Sequence, residues 1–252
     1  MKLYQSVPIW DCNEPLVEIP SDWFALELPH PYVKLGAPYG DKSPYFLRQG
    51  VLERLFMAQA WLQQQRPQWR IQIFDAYRPI AVQQFMVDYT FQQTLAEESL
   101  AVESLSEEQR QAIWQKVYQF WAVPSRDPLT PPPHSTGAAI DVTLVNQHGQ
   151  VVDMGSPIDE MSPRSYPDYY QPNRQSSTAV DPALTQIDRV RFHQNRLLLR
   201  QAMMAGGFLQ HPQEWWHFSY GDQLWAWLTS QNVDHAKPVS DSAQPIAYYG
   251  AI

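Results

Sequence analysis

A run of prolines that feeds directly into a strand constrains this sequence more than any other feature. From Pro128 to Gly137 the chain reads PLTPPPHSTG, in which consecutive prolines remove backbone donors and fix φ, while Gly137 permits an unusual backbone angle. Such a segment is a stiff loop. The next residues, AAIDVTLV, alternate: Ile140, Val142 and Leu144 fall on one face of a strand, and Asp141 and Thr143 on the other. A rigid loop therefore delivers His134 beside a strand that aims Asp141 away from its apolar side.

Around this core feature the pattern predicts a few strands flanked by helices. The first 44 residues are rich in Pro and aromatics, which suggests an extended N-terminal segment, with a strand around Tyr32 to Leu35. Leu47, Val51, Leu55 and Leu62 then repeat at helical spacing until Pro67. RIQIFDA (Arg70 to Ala76) reads as a strand leading into the turn Tyr77-Arg78-Pro79, so Arg78 stands at a strand exit. Pro79 suits the first turn of a second helix running toward Leu100, and Ser106 with Gln109 forms a capping-box pattern for a third that ends near Pro124. A polar stretch from Ser162 to Pro182 reads as a loop. Ile187 to Ala205 returns to helical spacing before Gly206-Gly207, and EWWHFSY (Glu214 to Tyr220) is the last strong strand, followed beyond Trp227 by an irregular tail over 228–252. One α+β domain spanning 1–252 is the natural reading.

Composition narrows the partners. Hydrophobic residues make up 44% of the chain, enough for a substantial core without disulfides, and Cys12 is the only cysteine, which rules out an internal disulfide or a four-cysteine zinc site. Any metal must use histidine and carboxylate. A formal net charge of −8 argues against nucleic acid and anionic membrane surfaces as partners and favours a small molecule or peptide. The N-terminus lacks the basic start and apolar core of a secretory signal, and no apolar run reaches about 18 residues, so a soluble cytoplasmic protein is expected.

Two residue pairs have metal or catalytic potential. His134 with Asp141 serves equally as a loop histidine hydrogen-bonded to a strand aspartate or as a mixed N/O metal pair. Glu214 and His217 form the second pair. On a regular strand they would face opposite ways, so both reach one site only if Glu214 lies before the strand or beside a bulge; otherwise they are a surface glutamate and a core histidine among Trp215, Trp216 and Phe218. His134, Asp141 and His217 together would leave room for water on a zinc ion, with Glu214 as a general base that does not bind the metal and Arg78 as an oxyanion donor. Taken alone, Arg78 reads as a surface ion pair. His30, His148, His193, His211 and His235 lack a companion ligand pattern and read as structural or surface residues.

Taken together, these segments resemble the VanX-like D-alanyl-D-alanine dipeptidases. The family's H-x-x-G-x-A-x-D element appears as His134 to Asp141, its E-W-W-H element as Glu214 to His217, and its Y-R-P element as Tyr77-Arg78-Pro79, all in the family's order. Asp153 to Asp159 and Asn195 to Leu199 extend the resemblance, which covers roughly Tyr45 to Trp227. It implies one zinc ion per chain held by His134, Asp141 and His217, with Glu214 as catalytic base, Arg78 as transition-state stabiliser and Asp159 receiving the ammonium of a small dipeptide substrate. The implied fold is a compact α+β domain with a central, mostly antiparallel sheet, shared with zinc D,D-carboxypeptidases and the hedgehog signalling domain. One departure bears on substrate choice: Pro132-Pro133 precede His134 where the family usually has a serine, removing a hydroxyl near the substrate's amino end. Two other activities fit such a fold, a D,D-carboxypeptidase acting on longer cell-wall peptides and a zinc-bearing binding module without catalysis. The missing export signal weighs against the first, and Glu214 with Arg78 against the second.

Overall fold

The computed structural model of the chain describes residues 2–172, 184–231 and 244–252. The N-terminal stretch is largely extended, with a 3-10 turn at Leu3–Ser6 and strands β1 (Leu16–Glu18) and β2 (Ala25–Leu26). The strand expected around Tyr32 to Leu35 is instead a short helix, α1 (Pro31–Lys34). Pro31 occupies its first turn, where no N–H is needed, and the His30 side chain caps it by accepting from the Tyr32 N–H. These two local signals outweigh the strand propensity of Tyr32 and Val33.

Leu47, expected to open the first long helix, lies in β3 (Phe46–Arg48), which pairs antiparallel with β1; helix α2 (Gln49–Gln65) follows at once. Then come β4 (Arg70–Asp75), α3 (Ile80–Glu97), which starts just after Pro79, and α4 (Glu107–Phe120), whose capping box between Ser106 and Gln109 is complete. The strand after the proline loop is β5 (Ala139–Val145), and the later amphipathic run is α5 (Gln186–Ala205). The EWWHFSY stretch is shorter as a strand than expected: only β7 (His217–Ser219) is regular, paired with β6 (Leu209–Gln210), and Glu214 stands in the turn before it. Helix α6 (Gln223–Gln231) occupies the start of the expected irregular tail. Residues 173–183 of the polar loop and 232–243 of the tail, with His235, lie outside the described residues.

The central sheet runs β2-β4-β5-β7-β6, and only the β2–β4 pair is parallel, which is the α+β architecture expected. One face packs on α2 and α5: Ile71, Ile73, Ile140, Val142 and Leu144 from the sheet meet Val51, Leu55 and Leu62 from α2 and Leu199 and Met203 from α5. Burying each such side chain stabilises the fold by roughly 1.5–3 kcal/mol. A second apolar cluster joins α3 and α4 to Tyr32 and Trp121. None of the described helices is long and apolar enough to cross a membrane.

Strand alternation then sends Asp141, between Ile140 and Val142, to the face opposite α2 and α5. The proline loop ends in a 3-10 turn at Pro133–Thr136, closed by Gly137 at φ 69°. A Cβ there would lie 2.6 Å from Leu16 Cδ2, so both the left-handed angle and the close approach of β1 require glycine. Buried Arg48 fixes the turn from behind, donating from its backbone N–H to Gly137 O at 2.9 Å and from Nε to Thr136 O at 2.9 Å.

Candidate active site

Three strands contribute to one row of side chains. In the β4–β5 pair Asp75 stands opposite Asp141, and in the β5–β7 pair Asp141 stands opposite His217. The register shifts between Ile73 and Asp75, marking a bulge. In a regular strand Asp75 would share the core-facing side of Ile73; the extra residue re-aims it across from Asp141 instead.

His134, from the 3-10 turn, completes the cluster. Its Nε2 lies 3.1 Å from His217 Nδ1 and 3.3 Å from Asp141 Oδ2, and His217 Nδ1 lies 3.1 Å from Asp141 Oδ1. All three residues are buried. Their outward contacts fix the tautomers. His134 Nδ1 donates to Ala76 O at 2.7 Å, leaving the Nε2 lone pair inward. His217 Nε2 donates to Ser219 Oγ at 3.3 Å, because that hydroxyl spends its own proton on Asp222 Oδ2 at 2.8 Å, and this leaves the Nδ1 lone pair inward too. Two imidazole lone pairs and a carboxylate facing one another repel unless a cation sits among them, and oriented imidazoles are how proteins prepare metal ligands. The donor set fits a metal ion.

Arg78 is buried beside this cluster rather than at the surface. Its Nε donates to Asp75 Oδ2 at 2.8 Å, Nη1 to Gln83 Oε1 at 2.9 Å, and Nη2 reaches both Tyr32 OH and Asp141 Oδ2 at 3.3 Å. Tyr32 and Trp121 place their rings about the guanidinium at 5.0 and 5.1 Å. The backbone couples this arginine to the ligand turn: Arg78 N donates to His134 O at 3.2 Å, and Ser135 Oγ to Arg78 O at 2.8 Å. Asp75 is fully buried and also accepts from His30 Nε2 and Tyr39 OH, each at 3.1 Å. Burial alone would push its carboxyl up, yet Arg78, His30 and His134 together hold it below the usual range.

Glu214 lies at the cleft wall, with Oε2 3.8 Å from His217 Nδ1 and Oε1 3.8 Å from His211 Nδ1. Burial first, and then the Asp141 charge, push its carboxyl up to about 8. Asp159 is half-buried, accepts from Tyr32 OH at 2.8 Å, and adopts φ 64°, an angle aspartate tolerates better than most residues. Burial and Asp141 raise its carboxyl to about 7. The loop carrying Asp159 is fixed by buried Arg196, which donates to Met154 O, Tyr166 O and Ser156 Oγ at 2.8, 2.8 and 3.0 Å. Ser156 Oγ also accepts from Trp215 Nε1 at 3.0 Å, so one hydroxyl joins this loop to the segment bearing Glu214. His134, Asp141, His217, Glu214, Arg78 and Asp159 thus line a single cleft.

This chain has clear relatives. A family profile described as D-ala-D-ala dipeptidase matches residues 26–238. A D-alanyl-D-alanine dipeptidase of Synechocystis is 50% identical over 253 aligned residues, covering 100% of this chain and 97% of the relative. The chain belongs to the D-ala-D-ala dipeptidase family. Within the family, an Escherichia coli D-alanyl-D-alanine dipeptidase is 44% identical over 85 residues, 34% of this chain and 36% of that protein. One of Enterococcus faecalis is 33% identical over 91 residues, 36% of this chain and 37% of that protein.

Beyond the residues expected from the resemblance to this family, the cleft and its support include Asp75, Tyr32, His30, His211 and Lys2. Asp75 carried a readable signal, an acid at the end of the apolar RIQIF run and close to Arg78, but strand parity alone turns it toward the core. His30 and His211, read from sequence as structural or surface residues, are both buried, one against Asp75 and one beside Glu214. Removing one partner of a buried ion pair costs about 3–5 kcal/mol because the other charge stays buried. Asp75→Ala should therefore lower the unfolding free energy by that amount, read as a lower urea midpoint at unchanged m, and an unaltered midpoint would show that Arg78 does not depend on it.

Proposed function

We propose that this chain hydrolyses a free D,D-dipeptide such as D-alanyl-D-alanine, with His134, Asp141 and His217 holding one zinc ion, Glu214 as general base, Arg78 as oxyanion donor and Asp159 as the ammonium site. The observation that carries the reading is the spacing of the inward ligand atoms. Zinc bonds of about 2.0–2.1 Å in tetrahedral geometry set ligand atoms roughly 3.3 Å apart. Here the two imidazole nitrogens lie 3.1 Å apart and each meets a different Asp141 oxygen, Oδ1 at 3.1 Å from His217 and Oδ2 at 3.3 Å from His134, so that one ligand atom from each residue falls within 4.8 Å of the others. Three protein ligands with a position left open are the arrangement of catalytic rather than structural zinc. A zinc ion in this site would supply a water acidified to near neutrality and a Lewis acid for the peptide carbonyl.

The protein's own groups divide the remaining work. Glu214 is a suitable proton carrier: a base performs best when its proton affinity matches the working pH, and burial has raised this carboxyl from the ordinary range to about 8. It takes a proton from the attacking water and returns it to the leaving amine. Arg78 keeps a fixed positive charge beside Asp141, held there by Asp75 and Gln83, where oxygen charge develops as the carbonyl becomes tetrahedral. Because its partners already orient it, no reorganisation is needed at the moment of reaction.

Asp159, with Tyr32 OH on one oxygen, presents a carboxylate to the substrate's amino end. The same end faces no serine hydroxyl ahead of His134, because Pro132 and Pro133 occupy those positions. A free dipeptide therefore gains a charge-assisted contact that an N-acylated peptide lacks. This favours the dipeptidase over the carboxypeptidase acting on longer peptides, and the full-length likeness to a dipeptidase supports the same choice.

On metal and base, the expected outcome is about one zinc per purified chain, lost in His217→Ala but retained in Glu214→Ala, whose turnover should fall about 10²–10⁴-fold. Metal analysis and kcat on D-alanyl-D-alanine check both; near-normal turnover in Glu214→Ala would remove it from the mechanism. On substrate length, the sign with pH follows from Asp159. Its carboxyl is raised to about 7, so acidification through that range neutralises it and removes the ammonium partner. The KM for D-alanyl-D-alanine should rise as pH falls below about 7, while that for the N-acetyl form, worse from the start, stays level. Equal kcat/KM on the two substrates at every pH would contradict ammonium recognition.

A further inference from the structure

Among the described residues, the lysine and arginine side chains that line the cleft are Arg78 and Lys2. The guanidinium of Arg78 is committed to Asp75, Gln83, Tyr32 and Asp141. Lys2 is half-buried and makes no ion pair among the described residues. It lines the same cleft as Glu214 and His211. Asp159 instead stands with Tyr32 and Arg78.

The lysine is anchored rather than loose. Its backbone N–H donates to Gln5 Oε1 at 2.8 Å, closing the 3-10 turn Leu3–Ser6. Gln223 of α6 holds that turn by donating from Nε2 to Gln5 O at 3.3 Å and Val7 O at 2.7 Å. Tyr4, from the same turn, is buried against the same cleft. An ammonium brought into a partly buried site loses hydration, and an anionic ligand restores what burial removes.

A free dipeptide carries two opposite charges no more than about 7 Å apart, so both termini must be met within this one cleft. Asp159 answers the ammonium. The substrate's carboxylate then needs a cation other than the one reserved for the developing oxyanion. We propose that Lys2 binds the free C-terminal carboxylate of the dipeptide, which makes it a specificity-determining residue of this site. The assignment rests on the dipeptidase reading above and adds to it a reason for preferring a free acid: an amide or ester at that end offers no charge.

The test compares kcat and KM for D-alanyl-D-alanine and for its C-terminal amide, using the zinc-loaded full chain as wild type, Lys2→Met and Lys2→Arg. The wild type should prefer the acid. Lys2→Met should lose that preference by about tenfold to a hundredfold, the range expected for a hydrogen bond to a charged group, and lose it mainly through KM. Lys2→Arg should keep it, since the charge remains. If Lys2→Met slows acid and amide by the same factor and shifts the pH profile of kcat, the lysine acts on Glu214 and the carboxylate assignment is wrong. A preference for the acid that survives in Lys2→Met also overturns it. Failure of the wild type on both substrates would instead overturn the proposed function, and the lysine's role with it.

Discussion

The register of β5 against its two neighbours is the constraint on which the site depends. Asp141 stands opposite Asp75 on one side and His217 on the other, so three strands deliver their polar side chains in a row to one face. The apolar residues flanking Asp141 lock that register, because a slip by one residue would carry Ile140 and Val142 out of the core and Asp141 into it. The bulge in β4 is the local exception, needed to turn Asp75 toward the row. The proline turn then has only to place His134 over a frame already set, and Arg48, Gly137 and the contact with Arg78 fix it there.

Gathering so many charges in one buried place is costly, and the arrangement offsets that cost by pairing. Arg78 and Asp75 neutralise each other, while His30 and Tyr39 satisfy the remaining oxygen of Asp75. The inward lone pairs of His134 and His217, together with Asp141, are left for a cation. Among the described residues, Glu214 and Asp159 have no close lysine or arginine ion pair, and their carboxyls are raised to about 8 and about 7. Groups left in that state are suited to exchange a proton or receive a charged ligand, the roles proposed for them.

The sequence made most of the fold legible because its signals were local. Proline spacing, the Ser106 and Gln109 box and the alternation through AAIDVTLV each specify an element without help from distant residues. The elements misread are those where local signals compete or run short: α1 is one turn long with strand-forming residues, and the regular part of β7 covers only His217–Ser219 of the apolar EWWHFSY stretch. For the site, the motifs named His134, Asp141, His217, Glu214, Arg78 and Asp159, and these residues meet in one cleft. Asp75 escaped because a bulge reverses its parity, and Lys2 because only the packing of the N-terminal turn on α6 brings it to the cleft. Neither effect has a signature in the neighbouring residues.

The central claim is that His134, Asp141 and His217 bind a zinc ion while Glu214 stays off it. Anomalous diffraction from crystals of the purified chain, recorded on both sides of the zinc absorption edge, tests this most directly. The account predicts one peak per chain, bonded at about 2.0–2.2 Å to His134 Nε2, His217 Nδ1 and an oxygen of Asp141. A peak that includes Glu214 among its ligands, or that lies away from these three residues, would contradict it.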